Sequence, residues 1–197
     1  MLRQLAPAFR IVLLLTFITG VVYPLLVTGV CQLLFPKQAN GSLIVTNGRM
    51  IGSELIGQEA ASSRYFHSRP SAAGTGYDAT SSGPSNLAPT SQKLADRVRG
   101  SIAKFRAENP NYHGPIPADL VTASASGLDP DISPASAYAQ AARIASIRHL
   151  SQPAVEHLIA AQIQDPSFGL IGEPRVNVLK LNLALDGAVL GNLPDPR

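Results

Sequence analysis

The chain carries 25 consecutive residues, Ile11 to Phe35, without one charged side chain. A helix rises about 1.5 Å per residue, so the run is about 37 Å long, longer than the roughly 30 Å of hydrocarbon in a bilayer. A tilted transmembrane helix is therefore expected. The alternative is a cleaved signal peptide, whose apolar region is about 7–15 residues long and ends at a small-residue cleavage site. This run is longer and lacks an A-x-A-like exit. Cys31 follows Val30, where lipid attachment wants Gly or Ala. The span is read as a retained anchor. Arg3, Arg10 and the chain start flank it on one side, and Lys37 stands alone close by on the other. The positive-inside bias puts residues 1–10 in the cytoplasm, 11–35 in the membrane and 36–197 on the far side.

Charge excludes one class of function. Of 16 basic residues, Arg3 and Arg10 precede the span, which leaves 14 against 13 acidic ones in the remainder. That balance gives no nucleic-acid footprint, which needs clustered basic residues on one face. The single cysteine lies inside the apolar run, so no disulfide within the chain is available and the outer domain must be held by packing.

Within the span, Thr16, Gly20, Pro24 and Thr28 recur every fourth residue and form a narrow stripe of small residues. Such stripes let helix backbones approach closely in membranes, so this one reads as a docking groove for a partner helix; the alternative is that Gly and Pro are simply common in membrane helices. Pro24 frees the carbonyl of Gly20 and is expected to kink the helix. The span holds no ionisable group, whereas ion and proton pathways usually show one.

Past a short linker at Pro36 and Gln38–Ser42, Asn47-Gly48 between Leu43-Ile44-Val45 and Met50-Ile51 signals a hairpin. Leu55-Ile56 would extend that sheet. Arg69 to Pro89 reads as a long loop rich in Gly, Pro, Ser and Thr. A helix is expected from about Thr90 to Ala107, with Leu94, Val98, Ile102 and Phe105 on its apolar face. Ser133-Pro134 opens another, running to about Leu150 with Ala141, Ile144, Ala145 and Arg148. Ser151 and Pro153 open a third, with Val155, Leu158, Ile159 and Ile163 inward and Asp165-Pro166 as its stop. Val176 to Leu185 fits a bulged strand, which the alternation favours, or a buried helix with Val176, Leu179 and Leu183 together. The fold class expected is α+β: one transmembrane helix followed by one mixed α/β domain outside the cytoplasm.

Two loops concentrate special residues. Ser81 to Asn86 offers hydroxyls and amides around Gly83 that could cradle phosphate, but no G-x-x-x-x-G-K-[ST] string is present and no lysine lies between Lys37 and Lys93. Asp119 to Pro134 carries Asp129, Asp131 and Ser133 in a pattern that lacks the third acid and glycine of a calcium loop. Asp129 is expected to accept from backbone amides. His67, His113, His149 and His157 have no zinc-ligand spacing, so no metal site is expected. No G-x-S-x-G elbow appears. An extracytoplasmic enzyme or binder would need a pocket near Asp119, Asp129 and His113.

Five strings taken together resemble the C subunit of the Kdp-type potassium-transporting ATPase. They are Gly52 to Gln58, Tyr65 to Ala72, Ser82 to Pro89, Val121 to Pro134, and Gly172 to Leu179. With the span they cover nearly the whole chain in order. The resemblance implies a non-catalytic accessory subunit of a bacterial inner-membrane potassium uptake complex. Its partners would be a potassium-channel-like subunit, a P-type ATPase subunit and membrane lipid. It also implies a role in assembly, and a proposed role as a catalytic chaperone that raises the ATPase subunit's affinity for ATP. The residues carried over for nucleotide contact are Ser82, Gly83, Ser85 and Asn86. No cofactor is expected on the chain itself; ATP belongs to the complex. Pro84 stands where the family usually has Gly, which removes an amide donor. Ala125 and Asp131 stand where Gly and His are common. A domain outside the cytoplasm meets no cytosolic ATP, so an effect on ATP affinity would be a coupling energy carried through membrane contacts.

Overall fold

The computed structural model describes residues 2–46, 48–60 and 62–189. The Asn47 half of the expected Asn-Gly turn lies outside the described residues, as does 190–197 at the end of the expected outer domain. The chain divides into two compact units, residues 1–53 and 54–197.

The first unit is a long helix followed by a hairpin. Helix α1 (Leu2–Phe17) passes through a π-helical segment, Ile18–Val22, into α2 (Tyr23–Leu34). Among the described residues, Arg3–Leu34 is the helix long and apolar enough to cross a membrane. It begins well before Ile11, because Leu2 to Arg10 also take helical geometry around Pro7. The disturbance expected at Pro24 takes the form of a π turn just upstream. The Tyr23 N–H donates to the Ile18 carbonyl, five residues back, and the widened turn relieves the ring's clash with the carbonyl four residues earlier. The Thr19 hydroxyl donates to the Leu15 carbonyl at 2.7 Å.

Pro36 opens a one-turn helix, α3 (Pro36–Ala39), where the sequence suggested only a linker. Gln32 and Asn40 exchange side-chain amide bonds of 3.4 and 3.3 Å across the break between α2 and α3. Strands β1 (Leu43–Thr46) and β2 (Arg49–Ser53) then pair antiparallel, with a bulge between Ile44 and Val45. Leu55-Ile56 does not extend this sheet. The chain turns at Glu54 to Ile56, and the Gly57 N–H donates to the Leu128 carbonyl at 2.8 Å.

The second unit packs helices on a small antiparallel sheet. Its elements are α4 (Gln92–Glu108), β3 (Asp131–Ile132), α5 (Pro134–Arg148), α6 (Gln152–Gln162), β4 (Ile163–Gln164), β5 (Arg175–Asn177) and α7 (Val178–Val189). The strand order is β3-β5-β4, so β5 is central. The core joins Phe66, Ile132, Ala141, Ile144, Val155, Ile159, Val176, Leu181 and Leu185. Ser133 and Ser151 cap α5 and α6 as their sequences require, accepting from the Ser136 and Ala154 N–H groups. The inward residues expected on α5 and α6 are buried, apart from half-buried Ile163. Helix α6 stops at Gln162, short of Asp165-Pro166, because Ile163 and Gln164 leave it to pair with β5. Phe105, the buried end of the α4 face, meets Tyr112 edge-on at 5.7 Å in a second cluster with Leu120 and Ala139.

The stretch Val176 to Leu185 corrects the strand expectation. Strand geometry ends at Asn177, and α7 follows at once. The Asn177 side chain accepts from the Lys180 N–H at 3.1 Å, which caps the helix. Val178, Leu181 and Leu185 are its buried face, at helical spacings of three and four, while Leu179 and Leu183 are half-buried. The expected strand holds only for Val176 and Asn177, and the rest takes the alternative helix, with a buried face other than Val176, Leu179 and Leu183. Leu181, Leu183 and Leu185 alternate, but packing selects only the first and last.

Candidate functional site

The two loops singled out in the sequence come together. The Ser82 hydroxyl and the Gly83 N–H both donate to the Ser126 carbonyl, each at 2.9 Å. Ser71 donates to the Gly127 carbonyl at 2.7 Å. Arg69 pairs with Asp129 at 3.0 Å and also reaches the Ala123 carbonyl at 3.4 Å. Gly127 sits at φ +68, and a Cβ there would lie 2.6 Å from the Ala73 nitrogen. Gly57 closes the other side, since its Cβ would lie 2.5 Å from the Asp129 carbonyl oxygen. The 124–129 loop is thus clasped between Gly57 and the 71–83 segment. Two of the donors that could face phosphate, on Ser82 and Gly83, are turned onto protein. Ser85 is half-buried, and Asn86 is exposed at φ +50. Before this loop, Asp78 accepts from the N–H and hydroxyl of Thr80, and these bonds hold its carboxyl below the ordinary value.

Asp129 does accept from a backbone amide, that of Asp131, at 3.1 Å. Asp119 is a capping group: it accepts from the Ser133 N–H at 2.7 Å and from the Ser133 and Ser136 hydroxyls at 3.2 and 2.5 Å. His113 lines a separate cleft with Arg106, Asn109 and Tyr112, and neither aspartate borders it. The three residues named for an enzyme pocket are therefore not assembled. Among the described residues, no three His, Cys, Asp or Glu side chains group as a metal site.

Sequence reasoning missed the arrangement around Tyr65-Phe66-His67. Asn182 on α7 accepts from the Phe66 N–H and donates to its carbonyl. Gln140 on α5 does the same for His67, at 2.8 and 3.2 Å. Two side-chain amides thereby replace a neighbouring strand. Arg143 donates to the carbonyls of Ser63 and Tyr65, and Arg148 to that of Arg64. The Arg148 guanidinium also lies 4.6 Å from the Tyr65 ring centroid and pairs with Asp186 at 2.8 Å. Polar residues at Gln140 and Arg143, on a helix otherwise rich in alanine, were the available signal. Their partners are about 75 residues away, beyond any local pattern.

His67, Arg69, Tyr77, Lys104 and Glu108 border a cleft of about 380 Å³. Burial and the Arg143 charge push the His67 imidazole below its ordinary value, outweighing Glu108 at 3.7 Å. Burial raises the Tyr77 phenol to about 12 and lowers the Arg143 guanidinium to about 10. Tyr77 donates to the Arg69 carbonyl. Each of these side chains has a protein partner, Lys104 reaching Glu108 at 4.0 Å.

Residues 5–187 match the family model described as KdpC, the c chain of the K+-transporting ATPase. The chain belongs to the KdpC family. Curated relatives bearing the name potassium-transporting ATPase KdpC subunit cover nearly its whole length. The Bradyrhizobium diazoefficiens protein is 52% identical over 200 residues, covering 95% of this chain and 98% of its own. The Rhodospirillum rubrum protein is 54% identical over 186 residues, covering 94% and 96%. The Acidobacterium capsulatum protein is 60% identical over 167 residues, covering 85% and 89%. The strings that resemble this family fall on the clasp, the amide-bracketed segment and the junction of β5 with α7. Tyr65 to Ala72 is the bracketed segment, Ser82 to Pro89 and Val121 to Pro134 are the clasped loops, and Gly172 to Leu179 leads through β5 into α7.

Proposed function

We propose that this chain is the accessory subunit of an ATP-driven potassium uptake complex in a bacterial inner membrane and performs no catalysis itself. The KdpC-family match over residues 5–187 carries the reading. The architecture supports it: one apolar helix, followed by a domain whose polar groups hold one another. Residues 11–35 cross the membrane with 1–10 in the cytoplasm and 36–197 in the periplasm, as the flanking charges favour. The partners are the potassium-channel-like and P-type ATPase subunits of the same complex.

The stripe of Thr16, Gly20, Pro24 and Thr28 docks the span against a partner helix. A four-residue repeat drifts by about 40° per step on a helix of 3.6 residues per turn. The π turn at Ile18–Val22 takes more residues per revolution, so it offsets part of that drift. Gly20→Leu is expected to lower recovery of the complex in detergent; an intact, fully active complex would remove the stripe from the reading. A reporter fused after Arg197 is expected to be active only outside the cytoplasm, and activity inside would overturn the topology.

The chain supports assembly of the complex and, through the span, the ATP affinity of the ATPase subunit as a coupling energy. The rival reading is direct ATP contact by Ser82, Gly83, Ser85 and Asn86. The bonds from Ser82 and Gly83 to Ser126 speak against it. Calorimetry on the full chain in detergent at millimolar ATP is expected to give no binding heat.

A further inference from the structure

Strands β4 and β5 are joined by a loop whose tip is the most exposed apolar feature among the described residues of the second unit. Phe168 is 94% exposed, Leu170 88% and Ile171 66%. Among the described residues after Ser53, the other exposed large apolar side chains are Leu55, Ile56 and Tyr138, none above 60%. The tip is nevertheless ordered by its own backbone. Ser167 and Ile171 exchange N–H to carbonyl bonds of 2.9 and 3.0 Å, and the Gly169 and Leu170 N–H groups donate to Pro166 and Ser167. Phe168 and Gly169 both take positive φ, at +55 and +70. A phenylalanine at positive φ is uncommon and costly, and such strain concentrates where a segment recognises something.

The charges around the tip select the kind of partner. Asp165 and Glu173 flank it, both exposed. The next base, Arg175, is engaged with Asp131 at 3.0 Å. An acidic rim offers the phosphates of a lipid surface no counter-charge. It suits an apolar cleft in a protein bordered by lysine or arginine, where an aromatic anchor surrounded by rim charges supplies most of the affinity and the orientation. We propose that the Phe168-Leu170-Ile171 tip is a docking anchor that inserts into such a cleft on another subunit of the same ATPase. The inference rests on the accessory-subunit reading and adds the surface that makes the contact.

The test uses the full chain co-expressed with the other subunits. A photoreactive benzoylphenylalanine at position 168 is expected to crosslink to another subunit of the ATPase. Crosslinks only to lipid, only to a second copy of this chain, or to nothing would overturn the proposal. A variant combining Phe168→Ser, Leu170→Ser and Ile171→Ser is expected to lower recovery of the other subunits about fivefold or more, with unchanged unfolding of the chain itself. Asp165→Lys with Glu173→Lys should lower it too, and unchanged recovery would overturn the basic rim. If the unaltered chain recovers no other subunit, the accessory-subunit reading fails. If it does and the triple-serine variant does equally well, the docking anchor alone fails.

Discussion

Asn182 holds Phe66 at both ends of its peptide: its Oδ1 accepts from the Phe66 N–H at 2.8 Å and its Nδ2 donates to the Phe66 carbonyl at 3.0 Å. The Phe66 side chain is fully buried, so no water can replace either bond without opening the core. Asn182→Leu leaves both backbone groups unpaired. Each such group costs about 1–3 kcal/mol, so a loss of about 2–6 kcal/mol is expected in denaturant unfolding of the full chain. Asn182→Asp keeps the acceptor and should cost less. Equal stability of Asn182→Leu and the unaltered chain would show that the bracket is not what orders the Tyr65 to His67 segment.

Two glycines separate close approach from mere freedom. Gly127→Ala places a Cβ 2.6 Å from the Ala73 nitrogen in a backbone conformation that L side chains rarely adopt. Strain and displacement of the 71–83 segment should destabilise by about 2–4 kcal/mol. Gly100 lies inside α4 with nothing near its Cβ direction. Gly100→Ala should stabilise by about 0.5–1 kcal/mol, because glycine in a helix interior loses more entropy than alanine. Thermal unfolding of the two variants is expected to move in opposite directions.

His67 gives the domain an acid sensitivity. Its folded imidazole is held below the unfolded value of 6.5 by burial first and then by Arg143, with Lys104 acting the same way and Glu108 and the Ser62 carbonyl opposing. The unfolded state therefore binds the proton more readily. The stability linked to His67 is present above pH 6.5 and is lost as pH falls from there through the lower folded value. Melting temperature measured from pH 7.5 to 5 should fall, and His67→Asn should flatten that part of the curve. A slope unchanged in the variant would assign the acid sensitivity elsewhere.

What could be read locally was written in local patterns. The uncharged run from Ile11 to Phe35 requires an apolar environment whatever surrounds it. Ser133-Pro134 and Ser151-Pro153 start α5 and α6 because a hydroxyl and a proline suit a helix N-terminus on their own. Leu94, Val98, Ile102 and Phe105 mark the face of α4 by their spacing of four, four and three. Where two local structures suited the same residues, the pattern ran out. Leu55-Ile56 is apolar enough for a strand, yet the chain turns there because Gly57 must pass against Asp129.

Local pattern was enough for the membrane-compatible helix, the caps of α5 and α6, the faces of α4 to α6, and the family. Folding alone settles that Val178 begins a helix, that Ser82 and Gly83 donate to Ser126, and that Gln140 and Asn182 stand in for a strand beside Phe66 and His67. The last two outcomes rest on hydrogen bonds between groups from 43 to 116 residues apart. Such bonds form only after the chain has closed on itself, when a buried N–H or carbonyl accepts whichever partner the packing brings within reach.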